Sequence, residues 1–398
     1  MAKKKQLGWS DRLGAFFTVA ACVLLLWDPK EAIQGGLQGL QIFGEIVLPS
    51  LLPFFVASEI LIGLGIVHFL GALVEPLMRP VFDVPGVGSF VWSMGLAAGY
   101  PMDAVITAKL RNSGDCTRVE GERLLAFTNT ADPLFLLGAV AVGMLGLPAV
   151  GGHLAAAHYI SAISVGIIFR FYGRHESESP AKTVRQHEKK EGYLQHAWEE
   201  LYRAREQDGR PLGKLLADAM ADSTETLTRV GGFIMFFAAL IRLLDSSGVL
   251  QWLCLPLGWF LSLFGWEKDL SMGLVAGLLE LDVGSAMVAS VPAPLVQRLA
   301  VMGAIVGWSG LSVHGQVASI ISSTDLRMSA YIKARLLHAL LAAFFTAVLM
   351  WLRPPVVTTA AGVFTAVVFS PLFRLITACS AVVLTVMCGM ACHWLCRR

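Results

Sequence analysis

Carboxylates, an imidazole and hydroxyls stand inside stretches that are otherwise apolar, and these residues carry whatever chemistry the chain has. Glu280 and Asp282 lie two apart in the run Leu270 to Val291. On an unbroken helix they would diverge, whereas an unwound Glu-Leu-Asp turn aims both at one cation or proton. With Glu59 they are the candidates for coupling an ion, because an ionisable group at mid-bilayer is costly and is retained for function. Glu45 counts equally deep, while Asp103, Lys109 and Arg123 count toward span ends. The densest polar cluster is Ser309, Gly310, Ser312, His314 and Gln316. Ser312, Gln316 and Ser319 follow a helical spacing that puts them on one face, where donors suit a ligand bearing carboxylates or ring nitrogens. His314 alone reads equally well as a buried hydrogen-bonder. Two further interruptions, Gly99-Tyr100-Pro101 and Asn129-Thr130-Ala131-Asp132-Pro133, complete the candidate solute site. Proline removes a donor and frees a carbonyl, and glycine lets the backbone leave helical geometry. In lipid such freed groups are tolerated only inside protein or beside water. One break is an ordinary packing kink; matched breaks mark a cavity.

Other chemistries fit less well. Gly307-Trp-Ser-Gly matches the Gly-x-Ser-Gly of rhomboid proteases, with His338 as a base on the next span. His338 sits in Arg-Leu-Leu-His-Ala-Leu-Leu, without the small-residue packing expected around such a base, so no enzyme is expected. Cys388, Cys392 and Cys396 share a helical face with His393 beside them, but paired-ligand spacings are missing and no metal site is expected. No cofactor is implied beyond a coupling proton or cation. The net charge of +2 comes with no basic face, which removes nucleic acid as a partner.

Positioning these residues requires a membrane. The chain is 55% hydrophobic and 15% charged, against about 25% charged in soluble domains. Apolar runs recur near Leu13 to Trp27, Leu37 to Val67, Gly88 to Lys109, Leu124 to Leu147, Leu154 to Phe171, Leu227 to Leu244, Val249 to Phe264, Leu270 to Val291, Leu299 to Ile321 and Leu336 to Trp351, with a further stretch from Val356 to Leu395. The expected fold is all-α and polytopic, with about 10–12 hydrophobic segments, some re-entrant or broken. The lipid bilayer is its surrounding partner. An N-terminal span (1–36), uncleaved because no A-x-A-like site follows, precedes a first membrane repeat (37–172). A charged loop (173–214), a second repeat (215–352) and a hydrophobic C-terminal segment (353–398) follow. The lysines and arginines of the loop and termini favour the cytoplasmic side. Residues 192–205 are expected to form a surface helix acting as a solvated connector.

The two halves correspond when the sequence is slid by about 180 residues, the mark of a duplication and of an inverted repeat. Gly95-Leu-Ala-Ala-Gly-Tyr-Pro-Met-Asp falls near Gly277-Leu-Leu-Glu-Leu-Asp-Val-Gly-Ser, and Glu122-Arg-Leu-Leu-Ala-Phe near Gln297-Arg-Leu-Ala-Val-Met. Each half then reaches a polar break.

Leu48-Pro-Ser-Leu-Leu-Pro-Phe-Phe-Val-Ala-Ser-Glu, Gly99-Tyr-Pro-Met-Asp-Ala, Glu122 to Gly138, Gly310-Leu-Ser-Val-His-Gly-Gln-Val and Arg335-Leu-Leu-His resemble the YlbJ-type sporulation integral membrane proteins (stage V sporulation protein V), of the nucleoside-recognition or gate domain group. The resemblance implies movement of dipicolinic acid out of the mother cell across the outer forespore membrane. It also implies a distant likeness to concentrative nucleoside transporters, where helical hairpins and broken helices hold the solute. Two positions depart from the pattern: Met102-Asp-Ala-Val replaces a Gly-Ala-Lys continuation, and Asp132 stands where a small residue is expected. Both add acid, so either helix ends and the donors Asn129, Ser309, Ser312 and Gln316 hold the dianion while carboxylates bind a coupling ion, or the solute travels as a calcium complex ligated by Asp132, Glu280 and Asp282. A carrier of another small solute, and a non-transporting envelope factor, are the alternatives.

Overall fold

The computed structural model describes residues 19–174 and 193–355, which are helical with no strand among them. The first apolar run is described only from residue 19; the 175–192 part of the charged loop, the Val356 to Leu395 stretch and the Cys388–Cys396 face lie outside the described residues.

Helix α1 (Pro29–Ile42) starts where Asp28 accepts the Glu31 N–H at 3.1 Å, with proline in its first turn. A wide π-type turn at Phe43–Val47 carries it into α2 (Leu48–Gly63). The whole element Pro29–Gly63 is long and apolar enough to cross a bilayer, so the sequence boundary at residue 36 falls inside it. Pro148–Phe169, Leu212–Ser246, Leu295–Ile321 and Met328–Leu352 meet the same criterion.

Between them lie half-length pieces. After α3 (Ile66–Leu77), the run Gly88 to Lys109 folds as α4 (Gly88–Ala98) and α5 (Met102–Ser113), packed against each other. A helix of eleven residues rises about 16 Å, half a hydrocarbon layer. Next come α6 (Arg118–Thr128), opened by a capping box between Thr117 and Glu120, and the π-wound α7 (Phe135–Met144). The non-helical residues 129–133 separate them, and α8 (Gly151–Phe169) follows.

The second half also contains a short helix pair followed by a broken helix. After α9 (Tyr193–Asp208), α10 (Leu212–Ser246) and α11 (Val249–Leu263), the run Leu270 to Val291 folds as the short pair α12 (Leu270–Leu279) and α13 (Leu281–Ser290). The chain reverses at Glu280, and the backbones meet so closely that a Cβ on Gly284 would lie 2.2 Å from Gly277 Cα. The broken helix α14 (Leu295–Trp308) and α15 (Gly310–Ile321) and the long α16 (Met328–Leu352) complete the half. Helix α16 packs on both α14 and α8, joining the halves.

The main core draws on α7, α10 and α12 to α15, through Leu136, Val140, Leu227, Ile234, Val275, Met302 and Val317. A smaller one gathers Val67, Met78, Val91 and Leu124 around the stacked rings of Phe82 and Phe127, 4.3 Å apart. Trp252, Leu255, Trp259, Leu340 and Phe344 face outward, as expected of a lipid-facing surface.

Helix α9 departs from the expected solvated connector. It is a helix, but Ala197, Leu201 and Ala204, at helical spacing, are buried, and the element packs on α3 beside Leu64, Ile66 and Leu215. The mixed charge of the segment had masked a narrow apolar stripe.

Candidate functional site

Each short helix pair presents its tip to the middle of the protein, against a helix break. At the first tip Gly99 takes a φ of 65°, and a Cβ there would lie 3.0 Å from Asp132 Oδ2, in the first break. At the second tip Glu280 is extended, and Gly310 of the second break lies against Leu281 N and Glu280 Cα, 3.1 and 3.2 Å from where its Cβ would be. The Tyr100 hydroxyl crosses between halves and donates to Val306 O at 2.9 Å.

A cavity of about 80 Å³ results, lined by Ala98 and Tyr100 of the first tip, Ala131 and Asp132 of the first break, Glu280, Leu281 and Asp282 of the second tip, and Ser312, Val313 and Gln316 of α15. Leu51, Phe55, Phe135, Val230 and Phe233 close it with apolar surface. Of the sequence candidates, Tyr100, Asp132, Glu280, Asp282, Ser312 and Gln316 therefore share one space. Gly99, Pro101, Asn129, Thr130, Ser309, Gly310 and His314 stand behind it as the backbone of tips and breaks. Glu59 is elsewhere: half-buried on α2, with Asp222 and Arg210 as its charged neighbours. Glu45 is exposed and accepts from Gln41.

The carboxylates have assigned work. Asp132 Oδ1 accepts the N–H groups of Leu134 and Phe135 at 3.0 and 2.8 Å, capping α7. Glu280 Oε2 accepts the Val283 N–H at 2.8 Å, capping α13. A helix start carries roughly half a positive charge, so both acids sit where the backbone welcomes them. Four helix starts, those of α5, α7, α13 and α15, gather around the cavity. Three have an acid in or before the first turn (Asp103, Asp132, and Glu280 with Asp282); α15 has none and no side-chain cap. Ser312 and Gln316 extend from that start along one face of α15.

Asp103 corrects its placement toward a span end. It is fully buried, because the chain turns back at Gly99–Pro101, and it accepts from Asn129 Nδ2 at 2.8 Å. Tyr331 Oη donates to Asn129 Oδ1 at 2.9 Å. The buried Arg335 donates to Asn129 O at 2.5 Å and Ala126 O at 2.6 Å, satisfying carbonyls that the break at the end of α6 leaves free. His158 Nε2 accepts the Ala131 N–H at 3.1 Å, and Tyr159 donates to Ala131 O at 2.9 Å. Sequence reasoning missed Arg335 as a site residue, although an arginine in an otherwise apolar helix was a signal.

Ser309 Oγ donates to Trp308 O, and His338 Nε2 donates to His158 O at 3.0 Å; Ser309 and His338 form no catalytic pair. Among the described residues no three His, Cys, Asp or Glu side chains are grouped to hold a metal ion, while Asp132, Glu280 and Asp282 all reach the same cavity.

Residues 45–173 match the family described as Gate, nucleoside recognition. The solved structure of CNTnw in an inward-facing, substrate-bound state aligns with a TM-score of 0.50 over 86% of this chain and 87% of that one, at 15% identity, a likeness of fold alone. Over 339 residues, 85% of this chain and 82% of the relative, the sequence is 42% identical to the sporulation integral membrane protein YlbJ of Bacillus subtilis strain 168. With several membrane-length apolar helices and identity extending over most of both proteins, the chain is a multi-pass integral membrane protein and belongs to the YlbJ family of sporulation membrane proteins.

Proposed function

We propose that the protein carries a small dianionic solute, dipicolinic acid, out of the mother cell across the outer forespore membrane during sporulation. The observation that carries this reading is the convergence of two helix tips and two helix breaks on one cavity, with the uncapped first turn of α15 and the Ser312 and Gln316 side chains on its wall. Such a start suits one carboxylate of the solute. Phe55, Phe135, Phe233 and Tyr100 supply apolar faces for a planar ring.

The cavity of about 80 Å³ is small, below the roughly 300 Å³ at which small-molecule sites begin. Loading therefore requires a tip to withdraw. A crevice of about 760 Å³ lies on the far side of α13, between Val283, Ala286 and Met287 and the facing helices α1 and α10, and gives the second tip room to do so.

The test is flux of labelled dipicolinate into vesicles holding the purified full chain. Saturable uptake is expected, with half-saturation raised about tenfold, or 1.4 kcal/mol, by Ser312→Ala or Gln316→Ala. Uptake blocked by nucleosides but indifferent to dipicolinate would replace the solute. No saturable flux of either, with normal dipicolinate in deletion spores, would leave an envelope factor as the reading.

A further inference from the structure

Asp282 brings to the cavity wall a carboxylate oxygen that is fully buried and that nothing satisfies. It lies in the first turn of α13, is 4% exposed, and its Oδ1 has no hydrogen-bond partner. Its neighbour Glu280, 3% exposed, is already committed to the Val283 N–H, and Asp132 across the cavity receives two backbone N–H groups. No cation comes to Asp282. Arg335 is spent on the carbonyls of Ala126 and Asn129, and Arg298 of α14 bonds Ala289 O at the far end of α13. Toward the cavity, α10 offers Val230 and Phe233, α2 offers Leu51 and Phe55, and the first tip offers Tyr100. Arg242, Asp245, Glu45 and Asp269 face the opposite crevice, with Val283 and Ala286.

An ionised carboxylate with no donor, beside a second carboxylate and out of water, is not a stable arrangement. A hard metal ion would relieve it only with about six oxygens around it, and no grouping of three acidic, histidine or cysteine ligands exists among the described residues. A proton needs a single lone pair.

We propose that Asp282 is a proton-binding site of the solute cavity, loaded from water when the dianion binds and emptied to water when it leaves, while Glu280 stays ionised at the start of α13. The O–H bond forms on Oδ1, so one negative charge is removed as the charged solute arrives. This rests on the solute reading above only for the choice of ligand. By linkage, solute binding weakens as pH rises through the range where Asp282 loses its proton.

The experiment measures dipicolinate affinity of the full chain in lipid nanodiscs between about pH 6 and pH 8, with the infrared band of protonated carboxylic acid followed in parallel. In the wild type, affinity falls with rising pH by up to about tenfold per unit, the limit for one proton. Asp282→Asn binds tightly without pH dependence and lacks the infrared band, Asp282→Glu restores both, and Glu280→Gln keeps the band. A wild-type pH slope in Asp282→Asn, a band unchanged by that substitution, or affinity that follows sodium or calcium at fixed pH overturns the proposal. If the wild type binds no dipicolinate, the solute reading fails and the band alone decides Asp282.

Discussion

Each helix break lies against the tip of a short helix pair, and the two are built differently. The first, 129–133, is tied on every side. Asn129 is held by Asp103, Tyr331 and Arg335, Ala131 by His158 and Tyr159, and Asp132 caps the helix that follows. The second has little side-chain wiring of its own. Ser309 and Gly310 both take left-handed conformations, at φ 71° and 73°, which a serine rarely adopts. The break is anchored by Trp308 Nε1 donating to Leu278 O at 3.0 Å, at the second tip, and by His314 Nδ1 donating to Gly310 O at 2.8 Å. One interruption is thus stabilised by a buried polar network. The other depends on backbone freedom and close packing against a hairpin, the kind of element that rearranges at low cost.

Three substitutions bear on that contrast. The largest loss is expected for Arg335→Leu, which leaves the carbonyls of Ala126 and Asn129 without donors inside the protein. Two charge-assisted bonds are worth about 3 kcal/mol or more together, read as a large fall in thermal unfolding temperature in detergent. Wild-type stability in this variant would remove the network from the comparison. Gly310→Ala comes next. A left-handed alanine costs about 1–2 kcal/mol, and its Cβ would crowd Leu279 O, Leu281 N and Glu280 Cα. Flux is expected to fall much further than stability, because the crowding displaces the second tip. Gly315→Ala, where a Cβ meets nothing within 4 Å, is its control and should change neither by much. Equal flux in the two variants would show that the second break is only a kink.

The smallest effect concerns the surface clasp between the halves, where Arg111 Nε and Nη2 bond the Asp325 carboxylate at 2.7 Å each. The guanidinium holds the Asp325 carboxyl below its ordinary range. Its contribution is therefore present at neutral pH and lost as pH falls through that depressed value. Asp325 is half exposed, so Arg111→Gln should cost under about 1 kcal/mol, less in high salt, measured as the acid limb of the stability profile.

Many residues of the candidate site were legible as interruptions before any fold was known. Gly99, Pro101, Asn129, Pro133 and Gly310 interrupt apolar runs, and an interruption is a local property of backbone chemistry. The acids were legible too, but their roles were not. Asp132 and Glu280 look like surplus negative charge in the chain, whereas in the fold each caps a helix start. Asp103 seemed peripheral by counting along a straight span, and a reversal four residues earlier buries it.

The sequence by itself determined the solvent and the places where helices fail, because hydropathy and the demands of glycine and proline act within a few residues. Only the tertiary structure decided which failures turn the chain back on itself and which do not. Glu280 reverses the chain where Gly277 and Gly284 let two backbones touch. The break at 129–133 brings no such backbone contact between the helices it separates, and groups from α5, α8 and α16 satisfy what it exposes. Those partners lie up to 206 residues away in sequence, so the distinction belongs to packing and could not be read from spacing.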